Sequence, residues 1–301
     1  LYDQNNKYNL TIRKTLEAIY ENYKGDRNDK EFLALECYLK RVWFSNGIHH
    51  HYATDKFTPE FSESFFETTV RTLPSNTLPI QAYDNSVENL IAAIKPVIFD
   101  STLYAKRVNQ NENIDLVKNS ANNYYEGVTE AEVDQFYNSK KEPNDPMPIS
   151  WGLNSKLMKE NGNLVEKTWK IGGMYNDAIQ KIVYWLEKAS KVAENEDQQR
   201  VINSLIDYYE TGDLLTFDEY SILWVKDLDS KIDFINGFIE TYGDPLGLKA
   251  SWESVVNFKD LEATKRTEII SENAQWFEDN SPVDSRFKKE AVHGVSAKVI
   301  T

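Results

Sequence analysis

Residues 232–258, IDFINGFIETYGDPLGLKASWESVVNF, constrain the fold more than any other stretch. Two runs rich in β-branched and aromatic residues flank Gly243-Asp244-Pro245-Leu246-Gly247, the pattern of two strands joined by a tight turn. The turn is specified chemically: Pro245 fixes φ, Asp244 bonds its own backbone, and Gly243 and Gly247 tolerate positive φ. Phe234, Ile235, Phe238 and Ile239 make the first strand apolar on both faces, so Glu240 at its end is expected to be partly buried. Glu240 and Tyr242 are two residues apart, which in a strand points both side chains the same way. A buried carboxylate is costly unless it is paired. At the wall of a cleft, Glu240 is suited to hold a cationic amine, and Tyr242 to donate its O–H to a developing oxyanion. A purely structural partner for Glu240 is the alternative. Glu253, beside Trp252 on the second strand, is a weaker candidate of the same kind.

The rest of the chain is mostly helical in pattern. Ile12, Leu16, Ile19, Tyr20 and Tyr23 recur at helical spacing over 11–23, and Phe32, Leu35, Leu39, Val42 and Trp43 do so over 29–44. The loop SNGIHHHYATDKFTP follows, then two amphipathic stretches, FSESFFETTV and SVENLIAAI, with KPVIFD as a short strand. Residues 101–128 are polar and irregular. Thr129-x-x-Glu132 is a capping box. Three prolines within Pro143–Pro148 mark 142–149 as a possible internal boundary, or a loop within one domain. Asn161-Gly162 predicts a hairpin within 149–170. Helices are expected over 174–194, over a stretch ended by Gly212, and from a Thr216-x-x-Glu219 cap to about Asp229. Helix returns over 261–279, then a short helical turn after Ser281-Pro282, and GVSAKVIT reads as a strand. The expected class is α+β: helix-rich, with a small mixed or antiparallel sheet or partial barrel.

A net charge of −14 argues against nucleic acid or an anionic membrane as partner. No apolar run is long enough to predict a membrane span. Cys37, the single cysteine, sits in a helical pattern where a buried thiol is expected. His49, His50 and His51 are consecutive, and neighbours rarely converge on one metal, so they read as a polar loop. There is no His-Glu-x-x-His, Cys pair, P-loop or GxSxG, so these 301 residues carry no expected metal site. Gly172-Gly173 precedes a helix and reads as a strand-to-helix turn rather than an anion cradle. The chain opens on Leu1, so the natural start and any leader are not read from it.

FINGFIETYGDPLGLKASWESVVNF closely resembles the signature of dipeptidyl peptidase III, a family of zinc metallopeptidases: Phe-Ile-Glu-x-Tyr-x-Asp-Pro-x-Gly followed by a second strand. SNGIHHHYATDKFTP resembles the family's Ser-Asn…Asp-x-Lys-Phe-x-Pro loop, and the likeness covers essentially the whole chain, most like the bacterial, Bacteroides-type branch. The resemblance implies a two-lobed enzyme that removes dipeptides from the N-terminus of short peptides by metal-activated water. It implies that Glu240 holds the free amino terminus, that Tyr242 stabilises the tetrahedral intermediate, and that Tyr52 lines the amine side of the cleft. Anchored amine and activated water, two residues or roughly 7 Å apart, would measure out a dipeptide. Two departures stand out. The zinc motif, downstream in the family, is absent, so residues 1–301 are expected to be the N-terminal, barrel-bearing lobe, cut before the zinc-carrying C-terminal catalytic lobe. Such a fragment would bind no zinc, although the full-length protein would, and is expected to be inactive alone. Gly243 also stands where some members carry Arg. Rival readings are a non-catalytic peptide-binding relative and, from seven Trp and seventeen Tyr, a glycan-binding protein.

Overall fold

The protein is described here from a computed structural model covering residues 2–292, so His293 and the strand expected over 294–301 lie outside the described residues. In chain order the elements are α1 (Tyr2–Asn5), α2 (Asn9–Asn22), α3 (Lys30–Phe44), α4 (Glu63–Thr72), α5 (Val87–Phe99), β1 (Tyr125–Glu126), α6 (Glu130–Asn138), β2 (Ser155–Glu160), β3 (Asn163–Thr168), α7 (Asn176–Ser190), α8 (Glu196–Thr211), α9 (Leu214–Lys226), β4 (Ile232–Glu240), β5 (Ser251–Phe258), α10 (Leu261–Glu272) and α11 (Ala274–Asn280). This is the α+β, helix-rich class expected, and the strands form a three-stranded sheet and a β4–β5 pair. No helix among the described residues is long and apolar enough to cross a membrane.

The chain divides into two compact units, the first running to Trp169 and including Phe238–Trp252, the second comprising Lys170–Gly237 and the chain from Glu253. In the first, helices α2 to α5 share one core. Ile12, Leu16 and Ile19 pack with Leu35, Leu39 and Val42, all without solvent exposure. Each such side chain contributes about 1.5–3 kcal/mol by leaving water, and their helical spacing is what fixes the face each helix turns inward. The segment expected as a strand over 95–100 instead completes α5. Ile94, Val97 and Ile98 continue the buried stripe begun by Leu90 and Ile91, and that burial outweighs the helix-breaking tendency of Pro96.

The first unit's sheet is mixed. β1 runs parallel to β2 with Tyr125 opposite Leu157, and β2 pairs antiparallel with β3 from Ser155↔Thr168 to Glu160↔Asn163. Asn161 and Gly162 both take positive φ, 50° and 83°, as a two-residue hairpin turn requires. Thr129 and Glu132 close both halves of the capping box on α6. The proline-rich 142–149 stretch lies inside this unit as a loop, because its flanks are tied together. The Tyr137 hydroxyl donates to Glu166 Oε1 at 2.8 Å, and Lys140 Nζ reaches Glu166 Oε2 at 2.5 Å.

In the second unit α7, α8 and α9 follow one another, with Ile179, Val183, Leu186, Val201, Ile202 and Leu205 buried. Gly212, at φ 71°, ends α8. α9 begins earlier than its Thr216 signal suggests. Asp213 is the cap, accepting from Leu215 N at 3.0 Å, because the left-handed Gly212 has already released the chain to start a new helix. Helix over 261–279 is interrupted at Asn273, which caps the C-terminus of α10. Cys37 is exposed, not buried: α3 turns Phe32, Leu35, Tyr38 and Leu39 to the core and leaves residue 37 on the opposite face.

Candidate functional site

The chain between β4 and β5, from Thr241 to Ala250, is organised by one buried carboxylate. Asp244 Oδ2 accepts from the Tyr125 hydroxyl (2.8 Å), Leu248 N (2.8 Å) and Lys249 N (2.9 Å), and Asp244 Oδ1 from Leu246 N (3.3 Å). Asp244 thus bonds its own backbone, as the sequence suggests, and also anchors the turn to β1. Asn122 Nδ2 donates to the Gly243 carbonyl at 3.3 Å, and Gln4 holds the far end, donating to Ala250 O and accepting from Trp252 N. Lys249 is fully buried. Its Nζ donates to the Tyr137 hydroxyl (2.6 Å), Gly152 O and Ser155 Oγ, and lies over the Tyr137 and Tyr125 rings. Burial pulls its pKa down to about 7 against the attraction of Glu166 and Asp244. Burial alone would raise Glu166, but the Lys140, Ser155 and Tyr137 bonds hold it below the usual carboxylate range.

On this frame Glu240 and Tyr242 face solvent. Glu240, the last residue of β4, is exposed and makes no ion pair among the described residues; only its carbonyl accepts, from Ser251 Oγ. The expectation of partial burial is thus corrected. Phe238, not Glu240, is the large apolar side chain that β4 buries fully, packed on Trp169 at 4.7 Å. Tyr242, 67% exposed, lies past the strand end in the turn, so the alternation that would align it with Glu240 does not extend to it. Glu253 belongs to the second unit, half-buried on β5.

Tyr52 is 85% exposed on the loop after α3. Asn46-Gly47 opens this loop, and Gly47, at φ 145°, has the Asn9 amide where a Cβ would sit. The same Asn9 side chain accepts from Ile48 N, so the turn is pinned to α2. His49 is buried, unlike the polar loop residue expected. Its Nε2 sits 2.7 Å from the Tyr104 carbonyl and so carries the proton. Burial pulls its pKa down to about 4, despite that bond, so it is neutral near pH 7. Lys56 Nζ caps α5, bonding the carbonyls of Val97, Asp100 and Leu103.

Sequence reasoning missed Arg107, which joins the two parts. Its backbone N–H donates to Thr54 O and its Nη2 to His51 O. Its carbonyl accepts from the Asn122 amide that also holds Gly243. Nothing in the local sequence sets Arg107 apart from neighbouring cations.

His49, His50 and His51 each place one ring nitrogen against a group of the chain. His49 Nε2 is committed to a carbonyl, His50 Nδ1 accepts from the backbone of Tyr52 and Ala53, and His51 Nδ1 lies against Ser45 Oγ. No group of three or more His, Cys, Asp or Glu able to hold a metal occurs among the described residues. Gly172 N is taken by Asn176 Oδ1, as suits a turn.

The sequence model described as peptidase family M49 matches residues 87–294. The chain is 30% identical over 118 residues to dipeptidyl peptidase 3 of Dictyostelium discoideum, covering 39% of this chain and 17% of that one. It is 20% identical over 301 residues to dipeptidyl peptidase 3 of Nematostella vectensis, covering 87% and 39%. It superimposes on DPP III from Caldithrix abyssi with a TM-score of 0.60 at 16% identity, over 96% of this chain and 42% of that one. The chain therefore spans less than half the length of these relatives.

Proposed function

Because the chain belongs to peptidase family M49, the dipeptidyl peptidase III family, we propose that residues 1–301 supply the substrate-holding part of a zinc-dependent enzyme that removes dipeptides from the N-terminus of short peptides. The observation that carries this is the solvent-facing Glu240, without an ion-pair partner among the described residues, at the edge of a turn locked from behind by Asp244. An exposed carboxylate on a rigid support offers a charge-assisted bond to a peptide's ammonium at little ordering cost. Tyr242 presents a phenol nearby in sequence for the developing oxyanion, and Tyr52 an aromatic face for the amine side of the peptide. For Glu253 the support is its half-buried place on β5 beside Trp252.

In this reading the zinc and its general base come from outside these residues, in whose described part no group of three or more His, Cys, Asp or Glu could hold a metal. Residues 1–301 alone should then release no naphthylamine from a dipeptidyl naphthylamide, with or without added zinc. Chelator-sensitive release by the purified chain would contradict this division of labour. A glycan-binding reading would have to rest on exposed aromatics such as Tyr184, Trp185, Trp276 and Phe277, since Trp169, Tyr38, Tyr124, Tyr137, Tyr208 and Tyr209 are core residues.

A further inference from the structure

Lys249 has no solvent exposure and makes no ion pair among the described residues. Its Nζ meets three neutral oxygens instead: the Tyr137 hydroxyl at 2.6 Å, Gly152 O at 3.3 Å and Ser155 Oγ at 3.3 Å. Glu166 stands one hydroxyl away and is already engaged. Its Oε1 accepts from Tyr137 at 2.8 Å and Ser155 at 2.6 Å, and its Oε2 from Lys140 at 2.5 Å. The wall is close: a Cβ at Gly152 would stand 2.8 Å from the Tyr137 ring. A buried ammonium with no anion in contact is costly. The neutral amine is not, since it keeps two N–H donors and gains a lone pair that a hydroxyl can fill. Facing Nζ are Tyr137 from α6, Tyr125 from β1, Ser155 from β2, Glu166 from β3 and Asp244 from its own turn, with Lys140 behind Glu166. Burial and Lys140 oppose the charged form, Glu166 and Asp244 favour it, and burial outweighs them. Burial likewise keeps both phenols protonated beyond their usual range.

The backbone here is held by few bonds. Leu248 N and Lys249 N both donate to Asp244 Oδ2, at 2.8 and 2.9 Å, and Ala250 N donates to Leu153 O at 2.9 Å. Residues 241–250 belong to neither β4 nor β5, so they release these bonds without unzipping a strand. Release carries Nζ from its niche to water. The open turn then holds a proton that the closed turn gives up between about 7, the closed midpoint, and 10.5, the ordinary lysine value. Because the open state binds more protons in that interval, rising pH favours the closed turn and falling pH the open one, and the dependence levels off below the closed midpoint.

We propose that Lys249 is a proton-operated latch on the β4–β5 turn: the turn opens by taking up a proton as the side chain swings out to water, and closes by releasing it. The latch holds the segment that follows Glu240, and it stands whether or not Glu240 grips a peptide. The test needs only this chain. With the lysines labelled at 13Cε, the Lys249 resonance is identified by its loss in Lys249→Met, and its titration is followed in the wild type. Amide exchange at Leu248, Lys249 and Ala250, corrected for the intrinsic rate at each pH, gives the opening equilibrium. In the wild type that equilibrium should fall roughly fiftyfold between about pH 7 and pH 9, the change expected when one proton is released on closing. In Lys249→Met it should stay level. The same amides should exchange faster than those of Leu16 and Leu39 in the helical core, as a local opening requires. Should Lys249→Met fail to fold, Glu166→Gln serves instead. It removes an anion that favours the ammonium, so the Lys249 midpoint and the exchange curve should move together to lower pH. A Lys249 midpoint in the ordinary lysine range, a fall in exchange no steeper in the wild type than in Lys249→Met, turn amides no faster than the core, or a Glu166→Gln midpoint that moves without the exchange curve would each overturn the latch. Peptide binding plays no part in these readouts, so a failure of the role proposed for Glu240 leaves them standing.

Discussion

In an intact enzyme carrying these residues, Tyr242→Phe lowers kcat by about 10²–10³ and leaves KM nearly unchanged, the cost of removing one oxyanion donor. The substitution deletes one oxygen from a side chain that is 67% exposed, so it disturbs little packing. The turn beneath it stays fastened through Asn122, Tyr125 and Gln4. A loss confined to kcat is the pattern of a bond made only in the transition state. Steady-state kinetics on a dipeptidyl naphthylamide, beside a thermal melt, give the answer. Equal losses in peptide affinity and in rate would move Tyr242 from the reaction to ground-state binding.

Asp244→Ala has the largest expected effect on stability, about 3–5 kcal/mol, because it leaves the Tyr125 hydroxyl and three backbone N–H groups of a buried turn without their acceptor. That is a large fraction of the total for an ordinary domain. Asp244→Asn keeps one acceptor oxygen and should fall between the two. Urea unfolding of the three proteins orders them, and a midpoint for Asp244→Ala within error of wild type would show that the turn is held by its prolyl and glycyl geometry alone.

These two residues also show how far the sequence could be read. The strands on either side of the turn, the capping box at Thr129 and the Asn161-Gly162 hairpin were legible because each is a local signal, decided within a few residues. Pro96 and Cys37 depart from their local signals because tertiary burial decides them: the first is carried inside α5 by the apolar stripe around it, and the second is left outside by the phase of α3. At the candidate site Glu240 and Tyr242 could be named, but their exposure could not. Which large apolar side chain of β4 is buried fully depends on Trp169, far away in the chain. Lys249 and Arg107 are the clearest cases. Nothing near either of them in sequence shows that it would be a buried cation. Only the fold brings Tyr137 and Ser155 to the first, and Asn5 and His51 to the second.

The central claim is that Glu240 grips the charged front end of a peptide. Its most direct test is an NMR titration of this chain, following backbone amides 239–243, with a short peptide bearing a free amino terminus and with the same peptide N-acetylated. The account predicts that the free peptide binds about tenfold more tightly, the worth of one charge-assisted bond at an exposed site, and that Glu240→Gln abolishes the difference while its melt is unchanged. Equal affinity for both peptides in the wild-type chain, or a preference for the free amine that survives Glu240→Gln, would contradict it.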